Sequence, residues 1–255
     1  MSIPFGEQLH EAHILVVGAS QGIGLGFVTH LLTLPRVARV YATYRQPETA
    51  TGLLALAHPH LVTLPMDATD EGQIAFALAE IGAITQRLDG VINCVGFLHS
   101  GGLQPEKSVR QLDGEQLLEY FRVNSIPTAL LAKQVLPLLK RSDRSFFTSI
   151  SAKIGSIGDN RLGGWYGYRA SKAALNMFLK TIAIEYSRKS PNTTVVALHP
   201  GTTDTRLSQP FQGNVPADKL FTVERTVTQL WEVICGLQPS DNGGFFSWDG
   251  TPLPW

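Results

Sequence analysis

Tyr168 and Lys172 stand four residues apart in the run Tyr168-Arg169-Ala170-Ser171-Lys172. The run opens a stretch of helical apolar periodicity, residues 173–184, so both side chains are expected on one helix face. A free phenol titrates near pH 10. An ammonium held within about 6 Å favours the phenolate, which predicts a tyrosine acidic enough to protonate a carbonyl at neutral pH. Such a pair performs general acid chemistry only beside something that delivers the rest of the reaction, and the start of the chain supplies a candidate.

His13-Ile14-Leu15-Val16-Val17 is an apolar run too short for a buried helix, and it leads directly into Gly18-Ala19-Ser20-Gln21-Gly22-Ile23-Gly24. This reads as strand, glycine turn and helix. Glycines permit positive φ and let backbone approach a pyrophosphate, while the N-terminus of the following helix offers unpaired N–H groups. Short apolar strands then alternate with helical patterns to the end of the chain. Strands are expected at 39–43, 61–65, 91–96, 145–150, 194–198 and 245–248. Helices are expected at 48–58, 72–88, 114–140, 165–187 and 222–237. This is the signature of βαβ units: an α/β Rossmann-type doubly wound parallel sheet of about seven strands with helices on both faces, in one domain over residues 1–255. Two irregular stretches stand out, the glycine-rich tract 155–167 and the polar segment 202–221, which is long enough for a lid over substrate.

Basic and acidic residues balance, 21 against 21. That argues against nucleic acid, whose binding needs a concentrated positive footprint, and for a small-molecule partner. No apolar run reaches the length of about 18 residues that a membrane helix needs. Cys94 and Cys235 are too few for a disulfide framework, no metal site is expected, and residues 1–12 lack the layout of a signal peptide, so a reducing, cytoplasmic setting is expected.

The ordered set Gly18-x-x-x-Gly22-Ile23-Gly24, Asp67, Asn93-Cys94-Val95-Gly96, Asn124, Tyr168-x-x-x-Lys172 and Pro200-Gly201 with Thr205 resembles the short-chain dehydrogenases/reductases over essentially the whole chain. Gly155-Ser156-Ile157, the run from Tyr168 to Asn176 and the aromatic ending from Trp248 to Trp255 are similar to the C-factor-like carbonyl reductases of that family. The resemblance implies an NADPH-dependent reductase of a small aldehyde, ketone or quinone. Tyr168 would be the acid, and Lys172 would tune it and bind the nicotinamide ribose. Ser20, Gln21 and Ile23 would join the glycines around the cofactor. Asp67 would accept from the adenine amino group with Ala68 beside it, although a turn or N-cap role is open to it. Asn93 and Gly96 would border the adenine ribose, with a structural role for Asn93 equally open. Pro200, Gly201 and Thr205 would meet the nicotinamide end. Family members commonly associate through their long helices, so a homodimer or homotetramer is expected.

Asn124 is a poor helix former inside the stretch 114–140, and Pro127 cannot donate to the carbonyl of Val123, so the helix is expected to bend there. By resemblance Asn124 holds a water of the proton relay. The second strand ends in Thr43-Tyr44-Arg45 without the carboxylate of NAD-specific proteins, and a guanidinium at Arg45 can clamp a 2′-phosphate. His199, alone at a strand end, is assigned no role. The hydroxyl expected to steady the substrate oxygen falls, counting back from Gly155, on Ala152. Ser151 is its neighbour. Regular alternation would point Ser151 away, but a twist or bulge at the strand end would redirect it, so Ser151 is expected as the substituting donor, with Ser149 and Ser156 as alternatives. The rival reading is an NADPH-binding signalling or redox-sensing protein with weak catalysis; epimerisation or dehydration on the same cofactor is a third.

Overall fold

β1 (Ala12–Val17) is apolar and almost wholly buried, as a strand must be when helices cover both its faces. Ala12, Ile14 and Val16 enter one core, and Leu15 and Val17 the other. The computed structural model describes Gly6 and residues 10–255. Residues 1–5 and 7–9, most of the segment read for a signal peptide, lie outside the described residues.

The other strands of the sheet are β2 (Val37–Tyr44), β3 (Leu61–Pro65), β4 (Gly90–Asn93), β5 (Ser145–Ile150), β6 (Thr193–His199) and, after two short strands described below, β9 (Gly244–Ser247). They form one seven-stranded sheet in the order β3-β2-β1-β4-β5-β6-β9, every pair parallel. The helices are α1 (Gly22–Leu32), α2 (Thr51–Leu54), α3 (Glu71–Ile84), α4 (Gly114–Asn124), α5 (Ile126–Leu139), α6 (Tyr166–Lys189) and α7 (Val223–Gly236). One core holds α1 and α7, including Phe27, Leu31, Leu230 and Trp231; the other holds α3, α5 and α6, including Ile74, Leu131 and Leu179. The expected doubly wound α/β architecture is therefore present. The order reverses between β1 and β4, and the crevice at their carboxyl ends is where such a sheet takes a ligand.

The expected bend falls at Ser125. The long helix divides into α4 and α5 there, with Ser125 at φ −115° and ψ −57° and Pro127 in the first turn of α5. The expected helix at 48–58 is shorter, a 3₁₀ turn (Pro47–Thr49) followed by the single turn of α2, because Ala50 leaves helical geometry. α3 starts where the Asp70 carboxylate accepts the N–H of Gln73. The segment 202–221 has structure of its own. β7 (Thr202–Thr203) and β8 (Leu220–Phe221) pair in parallel and fasten its two ends together. Two-residue strands carry no periodic signal, which is why only a loop was legible. Among the described residues no helix is long and apolar enough to cross a membrane, and no cluster of His, Cys, Asp and Glu is placed to hold a metal.

Candidate active site

The glycine turn is bound to β2. Thr43 Oγ1 accepts the N–H of Gly18 (3.3 Å), and its carbonyl accepts that of Ala19 (2.8 Å). Gly18 and Gly22 have φ of +77° and +54°, and a side chain at Gly24 would lie 2.2 Å from the Gly18 carbonyl, so the chain can fold back here only as glycine. Gln21, the N-cap of α1, makes no side-chain cap hydrogen bond, which leaves the first turn's N–H groups without that acceptor. Ser20 and Ile23 are partly exposed on the same turn, and Arg45 is exposed at the end of β2. Glu119, held by Arg122 at 2.7 and 2.8 Å, lies close enough to Arg45 for its carboxyl to be lowered slightly by that charge as well as by Arg122.

Asp67 Oδ1 accepts from the N–H (2.9 Å) and hydroxyl (2.8 Å) of Thr69, the geometry of an Asx turn, beside the buried Ala68. Asn93 is committed to bracing: it donates to Thr128 Oγ1 (2.9 Å) and accepts from the N–H of Val95 (3.1 Å). Asn124 accepts from the N–H of Phe97 (2.7 Å) and donates to the Phe97 carbonyl (2.9 Å) and to Ser171 Oγ (3.0 Å). Its side chain has no donor left for water. Thr128 N–H turns to the Ser125 carbonyl (3.2 Å), which takes the ordinary helical donor from the carbonyl of Asn124.

Tyr168 and Lys172 share one face of α6 and are buried. The electrostatics differ from those expected of the pair. Lys172 Nζ donates to the Ile150 carbonyl (2.9 Å) and lies 5.9 Å from the centroid of the Tyr168 ring. Burial pushes the phenol of Tyr168 up, with Tyr120 adding to it, and pushes the ammonium of Lys172 down to about 8. Burial therefore acts on the Tyr168 phenol in the opposite direction to the lowering expected of the pair.

Ser151 requires a second correction. The ladder continues past Ile150, with Ser151 N–H on the Leu198 carbonyl (2.7 Å), and Ala152 is still extended at φ −153° and ψ 141°. No bulge intervenes, so alternation holds. Ser151 Oγ donates to Asn176 Oδ1 (2.6 Å), while Ala152 packs in the cluster with Tyr168. Ser149 Oγ is paired with Thr128 (3.4 Å) and Ser156 Oγ accepts from Asp159 N–H (3.1 Å). His199 is pushed down to about 4 by burial and stays neutral.

Glu106 escaped sequence reading. It is buried, its carbonyl accepts the N–H of Trp165 (2.5 Å), and Oε2 accepts that of Gly167 (3.2 Å), capping α6 from 61 positions away. A side chain at Gly167 would meet the Tyr120 ring at 2.4 Å, so glycine permits that close approach. Arg169 was also missed. It donates to the carbonyls of Gly163, Gly164 and Ile154 and fixes the glycine tract. Tyr168 is packed among aromatic rings: the buried Tyr120 and the partly exposed Trp165 each at 6.2 Å, with Phe211 of the 202–221 segment 4.8 Å from Trp165.

A glycine cradle bound to β2, free N–H groups at α1 and a buried cation at the adjoining strand ends fit the phosphates and ribose of a nicotinamide dinucleotide. Comparison with known proteins agrees with this class. The chain matches the family described as short chain dehydrogenase over residues 12–215 and belongs to it. It is 30% identical to an uncharacterized oxidoreductase of Schizosaccharomyces pombe, covering 94% of this chain and 96% of that one. It is 31% identical to a benzil reductase ((S)-benzoin forming) of Saccharomyces cerevisiae, covering 89% and 85%. The C-signal of Myxococcus xanthus is 29% identical over 56% of this chain and 81% of its own. Among solved structures, the NADPH-bound carbonyl reductase from chicken fatty liver superposes with a TM-score of 0.86 at 31% identity, covering 100% and 99%. Carbonyl reductase Sniffer of D. melanogaster gives 0.85 at 28%, covering 96% and 100%. The protein is an oxidoreductase of the short-chain dehydrogenase/reductase family.

Ser151→Ala should lower stability by about 1–2 kcal/mol, because the buried Asn176 oxygen loses its donor, while kcat stays within about threefold. Urea unfolding and steady-state rates measure the two. A loss of kcat near 10²-fold would return Ser151 to the reaction, whereas Ala152→Ser should raise kcat.

Proposed function

We propose that the protein is an NADPH-dependent reductase of small, largely apolar ketones, diketones or quinones. The observation that carries this reading is the buried pair of Tyr168 and Lys172 on one face of α6, packed among aromatic side chains near the glycine turn that is bound to β2. Gly18, Gly22 and Gly24 would receive the pyrophosphate, Arg45 the 2′-phosphate, Asp67 and Ala68 the adenine, Asn93 and Gly96 its ribose, and Pro200, Gly201 and Thr205 the nicotinamide amide. When bound, that ring supplies hydride. Tyr168 gives its proton to the oxygen that becomes alkoxide, a far stronger base than phenolate, so an unacidified tyrosine suffices. Lys172 sets the ribose and holds a positive charge under the phenolate left behind. The Asn124 carbonyl is the acceptor we assign to the relay water.

Similarity to a benzil reductase and to carbonyl reductases supports diketone and ketone substrates. The NADPH in the chicken carbonyl reductase supports the choice of cofactor. A cytoplasmic setting accords with the two free cysteines. Exposed Leu118 on α4, Ile126 on α5 and Met177, Phe178 and Ile184 on α6 support a homodimer or homotetramer, which light scattering would contradict by returning a monomer mass. Ala152 favours the second reading, an NADPH-binding sensor with weak turnover, because no hydroxyl accompanies Tyr168.

NADPH oxidation against benzil, quinones and aldehydes distinguishes them. Turnover should exceed that of Tyr168→Phe by about 10²–10⁴-fold, with NADPH affinity preserved in the variant. Parity between parent and variant would favour the sensor.

NADPH should be preferred over NADH by about tenfold or more, the scale of one charge-assisted contact from Arg45. Arg45→Asp should invert the order. Equal kcat/KM for the two cofactors in the parent would remove Arg45 from the site.

Lys172 loses its proton as pH rises through about 8, so the cation is present below that value and absent above it. The kcat/KM profile, which reports the free enzyme, should therefore fall above about pH 8. Stability should move the other way. The folded value lies below the ordinary 10.5, so the unfolded chain binds the extra proton between the two and the fold gains stability across that interval. A kcat/KM profile flat to pH 10 would contradict the role of the charge.

A further inference from the structure

Arg206 lies one residue beyond Thr205 in the 202–221 segment and is exposed. That part of the segment lies against the glycine turn and is tied to the loop after β4. Arg206 Nη1 donates to Gln21 Oε1 (3.1 Å) across 185 positions of sequence. The Thr205 methyl would lie 3.3 Å from a side chain at Gly22. His99 Nε2 donates to the Arg206 carbonyl (3.1 Å), tying the same residue to the loop after β4. A single exposed Arg–Gln hydrogen bond contributes little against the entropy of fixing two long side chains. Among the described residues no carboxylate pairs with Arg206. Its guanidinium has five N–H donors in a fork matched to phosphate, and one of them is used here. The cation therefore stands, unneutralised, against the turn whose N–H groups await an anion.

We propose that Arg206 is a phosphate anchor of the dinucleotide site carried by the 202–221 segment. This rests on the dinucleotide reading above. Gln21 holds the guanidinium at the rim of the cradle, from which it reaches the cofactor's phosphates. Because Gln21 directly precedes Gly22 and α1, the pyrophosphate is the expected partner; the 2′-phosphate of NADPH shares the same chemistry.

The test is the dissociation constant of NADPH and of NADH, by calorimetry or tryptophan fluorescence without carbonyl substrate, for the parent, Arg206→Ala and Arg206→Lys. Arg206→Ala should weaken both cofactors about tenfold, and Arg206→Lys should recover part of the loss as a point charge without the fork. A loss confined to NADPH would also uphold the anchor and place it on the 2′-phosphate. Dissociation constants within twofold of the parent for both cofactors would overturn it while leaving the reductase reading intact. A parent that binds neither cofactor would overturn both. Arg206 is exposed, so its variants should keep the parent's melting temperature, and a matching melt certifies the comparison.

Discussion

The site depends on one uncomfortable placement, an ammonium buried against the end of β5. Lys172 Nζ has the Ile150 carbonyl as its acceptor, and its depressed titration records how poorly that replaces water. Keeping the lysine there obliges the surroundings to seat α6 tightly. Ser125 Oγ donates to the Ser171 carbonyl (2.7 Å), and Asn124 reaches Ser171 Oγ from the same bend. A side chain at Gly155 would strike Lys172 Cβ at 2.7 Å, so the turn after β5 closes on the helix only because it has none. A straight helix over 114–139 would present neither Asn124 nor Ser125 in this way. The proline-linked break between α4 and α5 is thus part of the lysine's seat.

The N-terminal end of α6 is held by a different device. Trp165 has φ +51°, a region costly for a bulky side chain, by about 1–2 kcal/mol. Its N–H on the Glu106 carbonyl, Glu106 Oε2 on Gly167 and the three carbonyl contacts of Arg169 over-determine that conformation. The strain turns the Trp165 ring toward both Tyr168 and Phe211. Tyr168 is thereby linked through one ring to the 202–221 segment. At the segment's far end the Arg225 guanidinium stacks 3.7 Å from the Phe221 centroid, and Phe221 meets Trp248 edge-on at 4.9 Å behind Gly201. Aromatic contacts thus hold the segment at its middle, through Phe211, and at its far end, through Phe221.

The parts legible in the sequence are those written in local pattern. Apolar runs of strand length, the glycine turn after β1 and the Asn124–Pro127 break each follow from residues within a few positions of one another. What escaped depends on distance or on a single step of register. Nothing near Glu106 or Arg206 announces partners 61 and 185 positions away. Ser151 was misdirected because the expectation required a bulge, and the Leu198 carbonyl that keeps the strand regular lies on a neighbouring strand. The pairing of Tyr168 with Lys172 was legible as proximity, whereas the burial that raises the phenol was not. Sequence spacing gives the distance between two groups and nothing of the solvent removed from each.

That last distinction bears on what kind of carbonyl the pocket can serve. With Ala152 beside Tyr168 and Ser151 turned to Asn176, a substrate oxygen meets one hydroxyl donor where two would hold it more firmly. A missing donor of this sort costs about 2.7–4 kcal/mol of transition-state stabilisation in a water-excluded site. The aromatic walls offer a compensation of another kind: contact area, independent of hydrogen-bond geometry, that orients a flat apolar substrate over Tyr168. Small aliphatic aldehydes have little surface to use that way, while an aryl ketone or diketone would have area to lay against the partly exposed Trp165 and Phe211. Under the proposed reductase reading, orientation by surface and protonation by a single phenol would favour bulky, electron-poor carbonyls, which accept hydride with the least help at oxygen.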